Sequence, residues 1–514
     1  MIVSAMTFIS RILGLLRDAV VANLLGAGAN ADVFFLANKI PNFLRRLFAE
    51  GAFAQAFIPV LAEVKNEGND VHLKQFIAKV SGTLGVIVTI VTILGVIGSP
   101  ILAALFGMGW FVDYLNDGND GQKFELASLM LKITFPYLLF ISLTGLAGAI
   151  LNTFNKFAAV AFTPVLLNIA IISCALFLAP QFEEPVFAIA WGVFLGGFFQ
   201  LLFLIPFLVK AGLLVKPKWS WSDPDIVKVR TLMIPALFGV SVGQINLLLD
   251  TVIASFLGTG AISFLYYSDR LLEFPLGLFG IAIATVILPT LSQNHVSNDD
   301  KAFSANIDWA VKMVCLLGIP AATGLFILAE PMLLTIFQRG EFTPQHAEFA
   351  SHSLMAYSFG LLSFMLIKVL APGFYSKQDI KTPVKFGIWC MAANMLFNLI
   401  LVWPFDYVGL AMATSLSALM NVLLLYVTLH KRGVYTASSQ TITLVLKVVF
   451  ASTLMGIVIF TLNPVAAAWV DFPLIEKIVE LAKLISLGAA VFVISLLMSG
   501  VRKHTFSASK VVTK

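Results

Sequence analysis

Fourteen apolar stretches, each long enough to cross a bilayer as a helix, divide this chain. They lie near residues 1 to 25, 31 to 62, 76 to 106, 124 to 154, 158 to 179, 185 to 210, 226 to 257, 261 to 291, 303 to 329, 347 to 374, 383 to 403, 407 to 429, 441 to 462 and 475 to 499. Hydrocarbon offers no water to satisfy backbone N–H and C=O groups, so a run of about 20 such residues must satisfy them internally, as a helix does. With 59% hydrophobic and 12% charged residues in 514, the chain is too apolar for a soluble protein of this size. The expected fold is an all-α polytopic membrane protein with 14 transmembrane helices.

The loops between segments test that count, because Lys and Arg collect on the cytoplasmic side. Alternate loops and ends carry Lys65 and Lys74, Lys156, Lys210 to Lys228, Lys301, Lys377 and Lys381, Lys431 and Arg432, then Arg502, Lys503, Lys510 and Lys514. The opposite set holds Asp113, Asp117, Asp120, Glu183, Glu184, Asp406 and Asp471, with only Lys123 and Arg339 against the trend. Both termini are therefore expected in the cytoplasm. These basic flanks account for the net charge of +5, which gives no argument for nucleic acid. Arg11 and Arg17 interrupt the first apolar run and no small-residue cleavage site closes it, so the first helix is expected to be retained. Cys174, Cys315 and Cys390 all sit in apolar runs, an odd set that argues against a disulfide framework.

An internal repeat organises the segments. Arg17 to Gly28 recurs as Leu249 to Gly260, with Asp18 and Asp250, Val20 and Val252, Ala22 and Ala254, Leu25 and Leu257, Gly26 and Gly258, and Gly28 and Gly260 identical. Pro59 is answered by Pro289, and Thr163-Pro164-Val165 by Thr382-Pro383-Val384. Duplication of six spans leaves both copies in one orientation, related by an axis along the membrane normal, with a shared central cavity. The expected divisions are an N-lobe of segments 1 to 6 (residues 1–210), a C-lobe of segments 7 to 12 (211–432), and segments 13 and 14 with the cytoplasmic C-terminus (433–514). The last two segments lie outside the repeat and suit a long lipid tail.

Five of the nine arginines, Arg11, Arg17, Arg45, Arg46 and Arg270, fall inside apolar segments. A guanidinium at the bilayer centre costs roughly 3 kcal/mol on insertion scales and is kept only where it faces protein or water. Its planar fork suits phosphate oxygens. Asn38, Asn42 and Arg45 share a face at i, i+4, i+7, as do Ser263, Tyr267 and Arg270, and the repeat aligns Asn38 with Arg270. The alternative is structural pairing with Asp18, Asp32, Asp269 or Glu273. That reading is preferred for Arg46, whereas Arg17, Arg45 and Arg270 read as cavity groups. Gly14, Pro41, Gly51, Pro275, Gly277 and Gly280 are candidate hinges.

The run Ser10-Arg11 to Arg17-Asp18, with Ala31-Asp32, Pro41-Asn42 to Arg45-Arg46 and Glu50-Gly51, closely resembles the MurJ (MviN-like) lipid II flippases of bacteria. So do Tyr266 to Pro275 and Ala371 to Pro383. The resemblance covers essentially the whole chain. It implies a member of the multidrug/oligosaccharidyl-lipid/polysaccharide exporter superfamily in the bacterial inner membrane, moving undecaprenyl-pyrophosphate-linked disaccharide-pentapeptide outward for peptidoglycan synthesis. By the same resemblance Arg11, Arg17, Arg45 and Arg270 line the head-group cavity and bind the head group, Asp32 matches a functionally important acid, and segments 13 and 14 receive the polyprenyl tail; Asn38 and Asn42 join the candidate site through the face they share with Arg45. A monomer is expected, surrounded by membrane lipids, with any contact to the peptidoglycan synthesis machinery made through loops or helix faces.

No cofactor is expected beyond a coupling Na⁺ or H⁺. Asp250, Asn394, Asn398 and Thr414 could supply oxygen ligands to Na⁺, although family members with such a site carry a second carboxylate where Asn398 stands. No other metal site is expected, since the six histidines fall in loops or near helix ends. Gly26-Ala-Gly28 reads as a helix-to-helix turn, with no strand before it and no P-loop lysine after. Among competing functions, a drug exporter would carry acidic or aromatic groups for cationic cargo, whereas another lipid-linked oligosaccharide is a closer rival. A membrane-embedded glycan-processing enzyme would need more than the outward loops at 107 to 123 and 330 to 346 supply.

Overall fold

The computed structural model describes residues 2–46, 53–297 and 299–501. Every regular element among them is helical, and ten helices are long and apolar enough to cross a membrane. Each apolar segment falls on helix, yet segments and helices do not correspond one to one. Segment 2 comprises Ala29–Arg45 and Phe53–Asn66; the candidate hinge Gly51 lies outside the described residues, as do Arg502, Lys503, Lys510 and Lys514. Segment 3 is Asp70–Ile97, and beyond Gly98 the short helices Ser99–Phe106 and Met108–Leu115 build the following loop. Segment 8 breaks after Pro275 into a π-helical turn, Leu276–Gly280. A proline has no N–H for the preceding turn, which loosens the ladder there. Segments 11 and 12 form one helical stretch, Lys381–Lys431, interrupted at Asp406 (φ 52°, ψ −138°) two residues after Pro404.

The chain forms two compact units, residues 1–262 with 339–342, and residues 263–338 with 343–514. In the first, Phe53, Phe57 and Phe76 stack in sequence at 5.1 and 5.8 Å and pack with Leu146, Ile150 and Leu204. A Cβ on Gly148 would lie 3.0 Å from Val160, and one on Gly192 2.8 Å from the Ile171 Cα. Small residues thus let these apolar helices approach closely, where lipid provides no hydrophobic drive for association.

The second unit is pinned by a buried carboxylate. Asp308 accepts from Tyr435 Oη (3.1 Å), the Ser438 N–H (3.1 Å) and Oγ (2.8 Å), and Thr441 Oγ1 (2.7 Å). It also pairs with Lys312 at 3.0 Å. These contacts anchor the start of Ser439–Leu462, segment 13, against segment 9. At its other end segment 13 meets segment 14 closely: a Cβ on Gly488 would lie 2.5 Å from Ile459.

Candidate functional site

Asp18 lies two helical turns from Arg11 and directly beside Arg17, and the structure gives it to Arg17. Two N–H groups of Arg17 converge on Asp18 Oδ1 at 2.7 and 3.0 Å, and Nη1 donates to Asn168 Oδ1 at 3.1 Å. Asn168 in turn donates to the Ser10 carbonyl at 3.1 Å. The pair is shielded, with side chains 14% and 3% exposed. Arg11 is exposed and makes no ion pair among the described residues.

The Asn38, Asn42, Arg45 face forms as its spacing predicts. Asn42 donates to the Asn38 carbonyl at 2.8 Å and accepts from Arg45 Nε at 3.1 Å, and all three are half-buried. Arg46, one residue on, is exposed. Asp32 points elsewhere: buried, it accepts the Gly260 N–H at 2.7 Å. Lys39 donates to Thr251 Oγ1 at 2.7 Å. Both contacts join the helix Ala29–Arg45, which follows the first copy of the repeated turn, to the second copy.

Two further ties in the same unit obey the repeat. Asn23 and Ser255 occupy equivalent positions. The Gly109 N–H donates to Ser255 Oγ at 2.9 Å, and the Glu341 N–H donates to the Asn23 carbonyl at 3.0 Å. A Cβ would lie 2.2 Å from the Ser255 oxygen at Gly109 and 2.3 Å from the Asn23 oxygen at Gly340, where φ is +53°. Each loop therefore reaches the opposite copy's first helix only because it presents a glycine. Lys123, one of the two cations against the charge trend, is buried here. It pairs with Asp120 at 2.9 Å and donates to Thr259 at 2.7 Å. The other, Arg339, opens the loop that carries Gly340.

In the second unit Arg270 donates to Glu273 at 2.8 Å and to Tyr266 Oη at 3.3 Å, its guanidinium 5.3 Å from the Tyr266 ring centre. The Arg270 and Glu273 side chains are 32% and 46% exposed. The predicted partners Ser263 and Tyr267 are instead fully buried, Tyr267 against Phe337 at 4.9 Å. Both i, i+4, i+7 rows through Arg270 are open to it, and its long side chain follows the Tyr266 row.

Of the candidate cation ligands, Asn394, Asn398 and Thr414 belong to the second unit and Asp250 to the first. Asn398 donates to Asn394 at 3.0 Å, Asn394 donates to Thr414 at 3.5 Å, and Thr414 donates to the Leu410 carbonyl at 3.0 Å. The amides thus link segments 11 and 12. Among the described residues no three His, Cys, Asp or Glu side chains cluster as metal ligands.

A family model described as Lipid II flippase MurJ matches residues 21–480. The chain belongs to the lipid II flippase MurJ family. A Vibrio cholerae protein described as "Probable lipid II flippase MurJ" is 59% identical over 99% of this chain and 97% of its own length. A Burkholderia cenocepacia "Lipid II flippase MurJ" is 42% identical over 85% and 84%. The solved structure of a lipid II flippase MurJ in an inward closed conformation superposes with a TM-score of 0.80 at 28% identity, over 97% of this chain and 98% of that one. An inward-facing multidrug transporter of the MATE family shares the fold at 13% identity and a TM-score of 0.70.

The four candidate arginines thus occupy four settings: Arg11 exposed, Arg17 in a shielded pair, Arg45 on a half-buried amide face and Arg270 in an open pair. Sequence reasoning missed Asn168, the amide that receives Arg17. Its signal was available, since a lone Asn in the apolar run Phe157–Ser173 must find a partner in hydrocarbon. It also missed the glycine contacts at 109 and 340, which no local pattern announces.

Proposed function

We infer that the protein moves lipid II from the inner to the outer leaflet of the bacterial cytoplasmic membrane by alternating access, for peptidoglycan synthesis. The observation that carries this reading is family membership across residues 21–480, with a 59% identical relative spanning 99% of the chain. The arrangement we propose has fourteen spans: lobes at 1–210 and 211–432 around a central cavity, segments 13 and 14 along the polyprenyl tail, and both termini in the cytoplasm. A monomer suffices for this cycle.

Lipid II carries a pyrophosphate and peptide carboxylates, so its head group is anionic and too large to cross hydrocarbon unaided. Arg45 and Arg270 are assigned to the pyrophosphate, which guanidinium forks bind through charge-assisted hydrogen bonds. The Arg270–Glu273 pair is exposed enough that its net worth is about 0–1 kcal/mol, so an entering phosphate displaces the carboxylate at little cost. Arg17, held by buried Asp18 and by Asn168, shapes the cavity wall, and Asn38 and Asn42 orient Arg45. Arg11 extends the basic surface, and Asp32 braces the outer turn through Gly260. Coupling to Na⁺ through Asp250, Asn394, Asn398 and Thr414 is a separate proposal; a sodium dependence of transport that survives Asp250→Ala would remove it.

The test is exposure of lipid II on the outer leaflet of cells depleted of their own flippase, read by an added lipid II-cleaving toxin. Wild type should restore cleavage and Arg270→Ala, at equal expression, should not. Failure of well-expressed wild type would turn the reading to another lipid-linked oligosaccharide.

A further inference from the structure

The linker that joins the two repeats is bonded edge-on to segment 3. Residues 213–220 have no regular secondary structure, the Lys218 N–H donates to the Ala78 carbonyl at 2.8 Å, and Ser220 exchanges hydrogen bonds with Thr83 Oγ1 at 3.2 and 3.1 Å. Gly82 makes the contact possible, because a Cβ there would lie 2.3 Å from the Lys218 carbonyl. Lys79 pairs with Asp223 at the end of the strap.

Under the strap lies a groove of about 600 Å³ between segments 3, 4 and 6, lined by Ile77, Ile90, Leu146, Ile205, Leu214 and Trp219 among others. Its volume falls within the ~300–1,000 Å³ typical of ligand pockets. Thr89 on its wall turns its hydroxyl back to the Gly85 carbonyl at 2.6 Å, and apart from Ser81 the other lining side chains are apolar. The rim is different in kind. Along the strap Lys216 and Lys218 stand between the lining residues Val215, Pro217 and Trp219 and, like Lys210, are exposed, and the first acid after them, Asp223, is engaged by Lys79. Trp219 and Trp221 lie parallel with ring centres 6.0 Å apart, and the Arg230 guanidinium sits 4.3 Å from the Trp221 ring. Paired tryptophans beside lysines mark the depth where hydrocarbon meets head groups. The positive-inside assignment of this loop makes that the inner leaflet.

We propose that this groove is a binding site for an anionic glycerophospholipid of the inner leaflet. One acyl chain lies between segments 3, 4 and 6, Lys216 and Lys218 hold the phosphate, and Trp219 covers the glycerol level. A purely apolar groove would take any lipid tail. The uncompensated lysines select an anionic one, as basic pockets on the cytoplasmic side of membrane proteins do. Bound lipid would brace the linker between the two repeats.

The test uses the full chain in phosphatidylcholine vesicles into which brominated phosphatidylglycerol or brominated phosphatidylcholine is titrated. The Trp219 signal is taken as wild type minus Trp219→Phe. Brominated phosphatidylglycerol should quench it at a mole fraction at least about tenfold lower, given two lysines near the phosphate. Lys216→Gln with Lys218→Gln should abolish that preference, while Lys216→Arg with Lys218→Arg keeps it, which separates lost charge from lost folding. Gly85→Leu adds bulk to the groove where no atom lies within 4 Å of the Cβ, and should remove quenching by both lipids. Equal quenching by the two lipids in wild type, or a preference that survives the glutamine pair, would overturn the proposal. So would displacement of phosphatidylglycerol by lipid II at equal mole fraction, which would make the groove part of the substrate path.

Discussion

Arg17 and Arg270 carry the same charge in opposite settings, and the difference decides what each substitution does. Asp18→Asn removes the buried charge on which two N–H groups of Arg17 converge, and breaking a shielded pair typically costs about 3–5 kcal/mol. We expect a clearly lowered unfolding temperature in detergent. Glu273→Gln removes one partner of an open pair, where the cost is within about 1 kcal/mol; unfolding should barely move while lipid II exposure persists. Equal unfolding temperatures for the two variants would contradict this division. A third charged pair sits outside the spans: Arg432 and Thr382 hydrogen bonds hold the Asp379 carboxyl down to about 2. A depressed carboxylate pKa contributes stability above its unfolded value near 3.9, and loses it as pH falls toward 2. Detergent-solubilised Asp379→Asn and wild type should therefore differ in stability by the same amount at pH 5 and pH 8, which parallel melts would check. The sequence exposed these arginines because a charge in an apolar run is conspicuous. It could not say which partner each one meets, since Asp18 is in reach of two arginines and both Tyr266 and Tyr267 lie about one turn from Arg270.

Between elements, the ties at Gly109 and Gly340 have a consequence for access. Both lie at the ends that the charge pattern places outside, and each joins a loop of one repeat to the first helix of the other. Opening that side requires both to part, so bulk at either glycine should favour the open arrangement. Gly340→Val is the stronger change, because it meets the Asn23 oxygen at 2.3 Å and must also hold φ at +53°, a conformation β-branched residues avoid. In this variant a cysteine placed at Asn42 should react several-fold faster with a membrane-impermeant maleimide added from outside. The native cysteines are buried and give little background, and an unchanged rate would show that the ties do not gate access. Hydrophobic length made the long helices legible, including the turn at Gly26 to Gly28. The ties were not legible, because they depend on loops meeting helices far away in sequence, and only Lys123 and Arg339, charged on the wrong side, hinted at them.

For the molecule as a whole, the repeat was readable because duplicated turns keep their Asp, Gly and Pro positions. Where the compact units divide was not: segment 7 packs with segments 2 and 3, a contact set by tertiary surfaces that alignment of the copies does not encode. The proposed cycle places a cavity of fixed positive charge around a mobile anion, and the membrane field acts on both. An anion moving outward in an inside-negative cell gains roughly 2.3 kcal/mol per charge per 100 mV, on the order of 50-fold in equilibrium for each charge carried across the full field. Emptied of its anion, the arginine-lined carrier is drawn back toward the inside by the same field, so one gradient can drive both half-cycles. If so, collapsing the potential with a potassium ionophore at constant pH should cut outer-leaflet lipid II in flippase-depleted cells supplied with this protein. Removing the pH gradient alone at constant potential should leave it largely intact. Unchanged exposure after loss of the potential would exclude field-driven transport and shift attention to the Asp250 coupling proposal, since a cation gradient would then have to supply the drive.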